Sequence, residues 1–170
     1  MSKSDMQHTF NISLLETVED SITGYKGVVV RAIQYLTGCD RYCIQGKSLT
    51  KEGTPVEAAW FEEWRLKRIS HKDGDGCTQA VFTIPLGATV IDKVTKVEGI
   101  VVARGVVPSA ANRISITKVV GKAGEDKGWM DFDELQVEVK GTKVIKLVDA
   151  AKSAKKDRPG GPNAHPAPRN

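Results

Sequence analysis

The chain has 170 residues, of which 40% are hydrophobic and 6% aromatic, and its formal net charge is +4. No apolar stretch approaches the roughly 18 residues of a membrane span, and the N-terminal segment lacks the apolar core of a signal peptide. We therefore expect a soluble protein that is made in a cytoplasm and has no membrane partner.

The positive charge lies at the end of the sequence. Residues 151–170 hold five of the 25 Lys and Arg but one of the 21 Asp and Glu, so the first 150 residues are neutral. Binding to a phosphate backbone needs several net positive contacts on one face, which makes nucleic acid an unlikely partner of the body. Residues 158–170 are rich in Pro and Gly, and this composition predicts an extended C-terminal arm.

The chain aligns with itself at a shift of 72 residues. The segments that begin at His8 and Ala80 are identical at ten of 23 positions, which include Asp20/Asp92 and Gly27/Gly99. Such self-similarity indicates two copies of one structural unit. After a three-residue deletion, Trp60-x5-Leu66 aligns with Trp129-x5-Leu135, which predicts that Trp60 and Trp129 are equivalent core residues.

Each copy has the patterns of β-strands. Phe10-x-Ile12-x-Leu14 alternates with period two, as does its counterpart that begins at Phe82. Short β-branched runs follow at Gly27 and Gly99. We expect an all-β fold of two tandem small barrels of the SH3, Tudor or KOW class with an extended C-terminal arm. The predicted units are a first barrel (8–70), a linker (71–79), a second barrel (80–148, with a last strand at 141–148) and a basic tail (149–170).

The sequence has no pattern typical of catalysis or metal binding. The three histidines lie at the edges of the repeats, away from any nucleophile motif. An odd cysteine count argues against a disulfide framework, and the cysteines lack zinc spacing; we interpret Cys39, Cys43 and Cys77 as small buried hydrophobes. The adjacent acids Glu62 and Glu63 are interpreted as a solvated pair. The chain is therefore predicted to be no enzyme and to bind no cofactor or metal.

A few residues stand out as candidates for contact with a partner. Trp64 has no aromatic counterpart in the second copy, so it is the best contact candidate, although the sequence slightly favours burial in the core over exposure. Arg41 and Arg113 recur in both copies and are interpreted as strand residues paired with Asp20 and Asp92. The predicted partner-binding residues are Trp64, Tyr35, Lys155, Lys156 and Arg158.

The first copy carries a specific motif. The segment TGYKGVVVRAIQYLTGCDRYCIQ (23–45), followed by WFEEWRL (60–66), resembles a family of small tailed-bacteriophage and prophage proteins. Its members carry TG-x-x-G-x-V, YL-x-GC-x-x-Y-x-[VI]-Q and WF-[DE]-E-x-x-L. The match covers about 45 residues, whereas the second copy keeps only the skeleton. The resemblance implies a phage origin and assigns no catalytic residues.

A phage origin leads to the expectation of a virion structural protein. We expect a capsid decoration protein on the phage head that binds the major capsid protein or another virion protein. Its arm would grip neighbouring subunits and add buried area without a larger fold. Positions in the neck, tail or baseplate and a homo-oligomer remain open. The alternative is a non-virion phage module that contacts host protein or nucleic acid.

Overall fold

The fold is all-β, as predicted. The computed structural model describes residues 6–69, 76–118 and 128–141. The strands of the first repeat are β1 (Gln7–Phe10), β2 (Thr17–Asp20), β3 (Lys26–Tyr35), β4 (Arg41–Gly46), β5 (Ala59–Glu62) and β6 (Leu66–Arg68). Those of the second are β7 (Thr78–Val81), β8 (Thr89–Asp92), β9 (Glu98–Val106), β10 (Arg113–Lys118), β11 (Trp129–Asp133) and β12 (Val137–Val139). No helix in these ranges has the length and apolar character needed to cross a bilayer.

The two repeats have the same antiparallel strand order. In the first, β2 pairs with β3 and β6, β3 pairs with β4, and β4 pairs with β5. In the second, β8, β9, β10, β11 and β12 repeat this order. One-turn 3-10 helices, Glu63–Arg65 and Glu134–Gln136, connect the last two strands of each repeat. The ladders between described residues form open sheets, so closure into two barrels stays a prediction.

The repeats are joined around a local two-fold axis. Strand β3 pairs antiparallel with β9, with Ile33 opposite Gly105 at the centre of the ladder. These two positions are 72 residues apart, so each occupies the same place in its own repeat. Strand β1 pairs with β7 in the same way, with His8 opposite Ala80. The contact is therefore isologous, like that of a symmetric dimer, but lies within one chain.

The long central strands bend at equivalent points. A β-bulge leaves Val30 unpaired between β3 and β4, and another leaves Val102 unpaired between β9 and β10. Bulges of this kind bend a strand and increase its twist. The first half of β3 lies between β2 and β4 of its own repeat. The second half lies between β4 and β9, so one of its two neighbours belongs to the other repeat. Strand β9 has the equivalent neighbours in the second repeat.

The repeats also share their core. The first cluster of buried side chains contains Phe10, Val29 and Tyr42 together with Phe82 and Val106 from the second repeat. The second cluster contains residues of the second repeat alone: Ile84, Ala88, Val90, Val101, Ile114, Ile116 and Val137. Because apolar side chains from both repeats fill one cluster, neither repeat buries its full apolar surface without the other.

The strand predicted from Phe10-x-Ile12-x-Leu14 is wrong, as is its counterpart from Phe82. Strand β1 ends at Phe10, and β7 ends before Phe82. Ile12 is nevertheless buried, because the chain turns over the core beyond the strand. Leu15 and its equivalent Gly87 both adopt positive φ angles, 65° and 79°, which are incompatible with a continuing strand. The predicted strand at 141–148 lies almost wholly outside the described residues.

Gly105 allows β3 and β9 to approach at the axis. A Cβ atom at this position would lie 2.6 Å from the carbonyl oxygen of Ala32 and 2.9 Å from Cγ1 of Ile33. We predict that Gly105→Val lowers the free energy of unfolding by about 1–3 kcal/mol, as expected for overpacking. Urea denaturation measures this change. Ala110→Val, a similar enlargement at an exposed site, is the control, and equal effects of both variants would contradict the proposed close packing.

The shared strands and core predict that the halves remain together after the chain is cut. The test uses a variant that has a protease site inserted within residues 70–75, between the repeats, and is cleaved there under native conditions. We expect both fragments to co-elute in size-exclusion chromatography, because the β1–β7 and β3–β9 ladders hold them. In urea the fragments should separate. Separation without denaturant would contradict the interlocked arrangement.

Candidate functional site

The hydrogen-bond register corrects the alignment of the Trp-containing segments. Arg41 pairs with Glu62 across β4 and β5, and the equivalent Arg113 pairs with Asp133 across β10 and β11. Glu62 and Asp133 are therefore equivalent, and the copies differ here by one deleted residue. The predicted equivalence of Trp60 and Trp129 is wrong. The correct equivalents are Trp60 with Asp131, Trp64 with Leu135, and Ala58 with Trp129.

All three tryptophans are exposed. The exposed fraction is 41% for Trp60, 67% for Trp64 and 58% for Trp129. The prediction that Trp60 and Trp129 belong to the core is wrong, because side chains alternate along a strand and Phe61 takes the inward position next to Trp60. Trp64 lies on the 3-10 helix and is exposed, so the slight preference for its burial is wrong as well.

These aromatic residues belong to one side of the sheet, which we call the outer face. The outer face is the side of β5, β4, β3, β9, β10 and β11 opposite the core. Strand register places Trp60 beside Cys43, which in turn lies beside Arg31. It also places Tyr35 in line with Ala103, Ser115 and Asp131 of the second repeat. The outer face is therefore built by both repeats.

Arg31 connects the repeats on the outer face. Its guanidinium lies 5.6 Å from the ring centroid of Trp60 in its own repeat, and its Nη2 donates to Oδ2 of Asp131 in the other at 2.9 Å. Asp131 also accepts a hydrogen bond from Ser115. Burial opposes ionisation of Asp131, but the bonds from Ser115 and Arg31 outweigh it and hold its pKa below the usual value.

A chain of contacts joins the two predicted partner residues Trp64 and Tyr35. Nε1 of Trp64 donates to Glu62 at 2.8 Å, and Nη2 of Arg41 donates to the other oxygen of Glu62 at 3.1 Å. The Arg41 guanidinium lies 5.7 Å from the ring centroid of Tyr35. The Tyr35 ring lies 5.4 Å from that of Trp129, tilted by 45°. The structure thus brings Trp64 and Tyr35 onto one surface and adds Trp129, which sequence reasoning missed.

A cleft of about 200 Å³ opens beside this chain of contacts. It is lined by the aromatic residues Tyr35 and Trp129 and by the charged residues Arg41 and Glu62. The loop between β3 and β4 contributes the remaining lining residues, Thr37, Gly38 and Cys39. We call this feature the aromatic cleft.

A buried ion pair holds the 3-10 helix that carries Trp64. Asp20, fully buried, accepts hydrogen bonds from Nε and Nη2 of Arg65 at 2.9 and 2.8 Å, and from the Thr23 amide at 2.9 Å. The hydrogen bonds from Arg65 are the largest influence and hold the pKa of Asp20 well below its usual range. In the second repeat Gln136 occupies the position of Arg65 beside Asp92.

The predicted pairing of Arg41 and Arg113 with Asp20 and Asp92 is wrong. Arg41 pairs with Glu62, and Arg113 pairs with Asp133 at 2.6 Å. Each arginine is the first residue of its strand, β4 or β10, and its side chain lies on the outer face. Asp20 and Asp92 are the last residues of β2 and β8, and their side chains are buried next to the 3-10 helices.

The acidic residues and cysteines considered from the sequence do not form a catalytic or metal-binding group among the described residues. Glu63 accepts hydrogen bonds from Tyr42 and Asn11, so Glu62 and Glu63 are not a solvated pair. Cys43 is buried as predicted, but Cys39 is exposed and Cys77 is half-buried, which corrects the prediction for those two. Within residues 6–69, 76–118 and 128–141, no three His, Cys, Asp or Glu side chains form a group that could hold a metal ion. The predicted partner residues Lys155, Lys156 and Arg158 lie outside these ranges.

No family model, curated protein or solved structure matches the chain.

The lowered pKa of Asp20 predicts acid sensitivity of the first repeat. A carboxylate with a depressed folded-state pKa contributes stability above the unfolded value of about 4, and this contribution is lost as the pH falls further. We expect Asp20→Asn to lower the urea midpoint at pH 7, and this difference from the wild type should shrink below about pH 4. Asp133→Asn, in a half-exposed ion pair, should leave the midpoint nearly unchanged. A pH-independent effect of Asp20→Asn would contradict the ionic role.

Proposed function

We propose that this protein is a non-enzymatic virion structural protein of a bacteriophage, a capsid decoration protein that docks on the major capsid protein through its outer face. The phage assignment is supported by the motif of the first copy. The docking role is supported by one observation above all: Trp60, Trp64, Trp129 and Tyr35 are gathered on one face among paired arginines.

The composition of the outer face favours a protein partner. Trp, Tyr and Arg are the residues that contribute most to protein–protein binding. The ion pairs Arg31–Asp131, Arg41–Glu62 and Arg113–Asp133 leave no net charge among these groups. Nucleic-acid binding is driven by the release of counterions from phosphates by excess positive charge, so the paired charges disfavour it.

The C-terminal arm has a separate place in the proposal. Lys155, Lys156 and Arg158 would contact acidic capsid surface next to the docked body. Two linked contacts raise the overall affinity because the second forms at high effective concentration. Deletion of residues 151–170 should therefore weaken association with particles without changing the fold of the body.

Mass spectrometry of purified particles tests the assignment. The chain should be present in particles of the phage that encodes it, at a copy number comparable to that of the capsid subunits. Its absence from particles would contradict the virion assignment and favour the alternative, a non-virion module that contacts host molecules during infection.

Substitutions on the outer face test the docking surface. We predict that Trp60→Ala and Trp64→Ala each weaken binding to undecorated particles at least tenfold, about 1.4 kcal/mol, as expected for aromatic anchors that become buried on binding. Co-sedimentation with particles measures the affinity. The controls are Val94→Ala and Ile22→Ala, exposed hydrophobics that do not lie on the strands of the outer face. If the controls weaken binding as much as the tryptophan variants, another surface makes the contact.

A further inference from the structure

The aromatic cleft leaves apolar surface open at the junction of the repeats. Tyr35 comes from β3 and Trp129 from β11, and their rings pack against each other, with centroids 5.4 Å apart and planes tilted by 45°, to form one aromatic surface of the cleft. Trp129 remains 58% exposed despite its size. The volume of about 200 Å³ suits a narrow, extended segment of one or two small rings better than a folded element.

Aromatic surfaces of this kind suit polyproline II segments. Proline rings stack against Trp and Tyr, and the conformation is largely formed before binding, so little entropy is lost. The charged residues that line the cleft add polar recognition. The Arg41 guanidinium has donors besides the one bonded to Glu62, and the Glu62 carboxylate has acceptor sites besides those used by Arg41 and Trp64.

The chain itself carries a segment with this chemistry. Four of its seven prolines lie within residues 158–170, and the run His165-Pro-Ala-Pro-Arg169 places a basic residue directly after two prolines. We propose that this segment docks in the aromatic cleft of its own chain. Pro166 and Pro168 contact the rings of Trp129 and Tyr35, and Arg169 lies at Glu62.

The connecting chain is long enough for this contact. From Gly141 to Pro166 the sequence has 24 intervening residues, which span up to about 80 Å when extended. A folded body of this size is about 40 Å across. A tether of this kind holds the segment near the cleft at roughly millimolar effective concentration, so even a weak site is occupied. The inference rests on the cleft and the sequence, and it holds whether or not the protein is part of a virion.

Alkylation of Cys39 reports on occupation of the cleft. Cys39 is exposed and lines the cleft, and Cys77 serves as an internal reference outside it. In a chain that ends at Asp157, we expect Cys39 to react with iodoacetamide at least fivefold faster than in the full chain. The double variant Pro166→Ala/Pro168→Ala, which keeps the length and charge of the chain, should react equally fast at Cys39. The matched control is Pro159→Ala/Pro162→Ala, in which Cys39 should stay protected from alkylation. Equal Cys39 rates in all four proteins would overturn the proposal.

A synthetic peptide of residues 158–170 tests the site directly. Added to the shortened chain, it should restore protection of Cys39, and Trp129→Ala should abolish its binding while Val94→Ala, at a position that does not line the cleft, retains it. Restored protection without dependence on Trp129 would refute the assigned cleft. Dilution of the full chain tenfold separates docking within one chain from exchange between chains. Protection that is lost on dilution would overturn docking within the same chain.

Discussion

The pairing of β3 with β9 is the constraint on which the rest of the structure depends. It joins two five-stranded sheets into one of ten strands and fixes the local two-fold axis between Ile33 and Gly105. It also brings β11 of the second repeat within reach of β3 of the first. The register that pairs Ile33 with Gly105 brings Tyr35 into contact with Trp129 and Arg31 into contact with Asp131.

The outer face combines exposed rings with charges that are already satisfied. Each arginine on it is held by a carboxylate, and two of the three also lie over an aromatic ring. Side chains fixed in this way lose little rotamer freedom when a partner arrives. Behind the face, the bond between Asp20 and Arg65 fixes the helix that presents Trp64. Rigidity and paired charge together suit a permanent protein contact.

Sequence patterns within a short stretch of chain predicted the positions of individual strands. The β-branched runs after Gly27 and Gly99 locate β3 and β9, because such residues favour a half-buried pleated surface. The Trp-x5-Leu match misled the alignment, because equivalence is set by the ladder between β4 and β5, which spacing along the chain does not encode. Trp64 and Tyr35 were found as residues without aromatic counterparts. Trp129 was missed because its role arises from a long-range register. Gly105 within a strand pattern is a local sign of the close approach between β3 and β9.

The contacts of Arg31 have a consequence for the duplication itself. Its equivalent in the second repeat is Ala103, and the two residues that it contacts, Trp60 and Asp131, are equivalents of each other. In a dimer of identical repeats, the two positions that contact this arginine would carry the same residue. Each arginine would then contact two tryptophans or two aspartates, and never one of each. A single chain escapes this rule. Fusion of the repeats lets one side of the axis acquire an aromatic platform and the other a counter-ion, and the asymmetric surface that results is not available to a dimer of identical subunits.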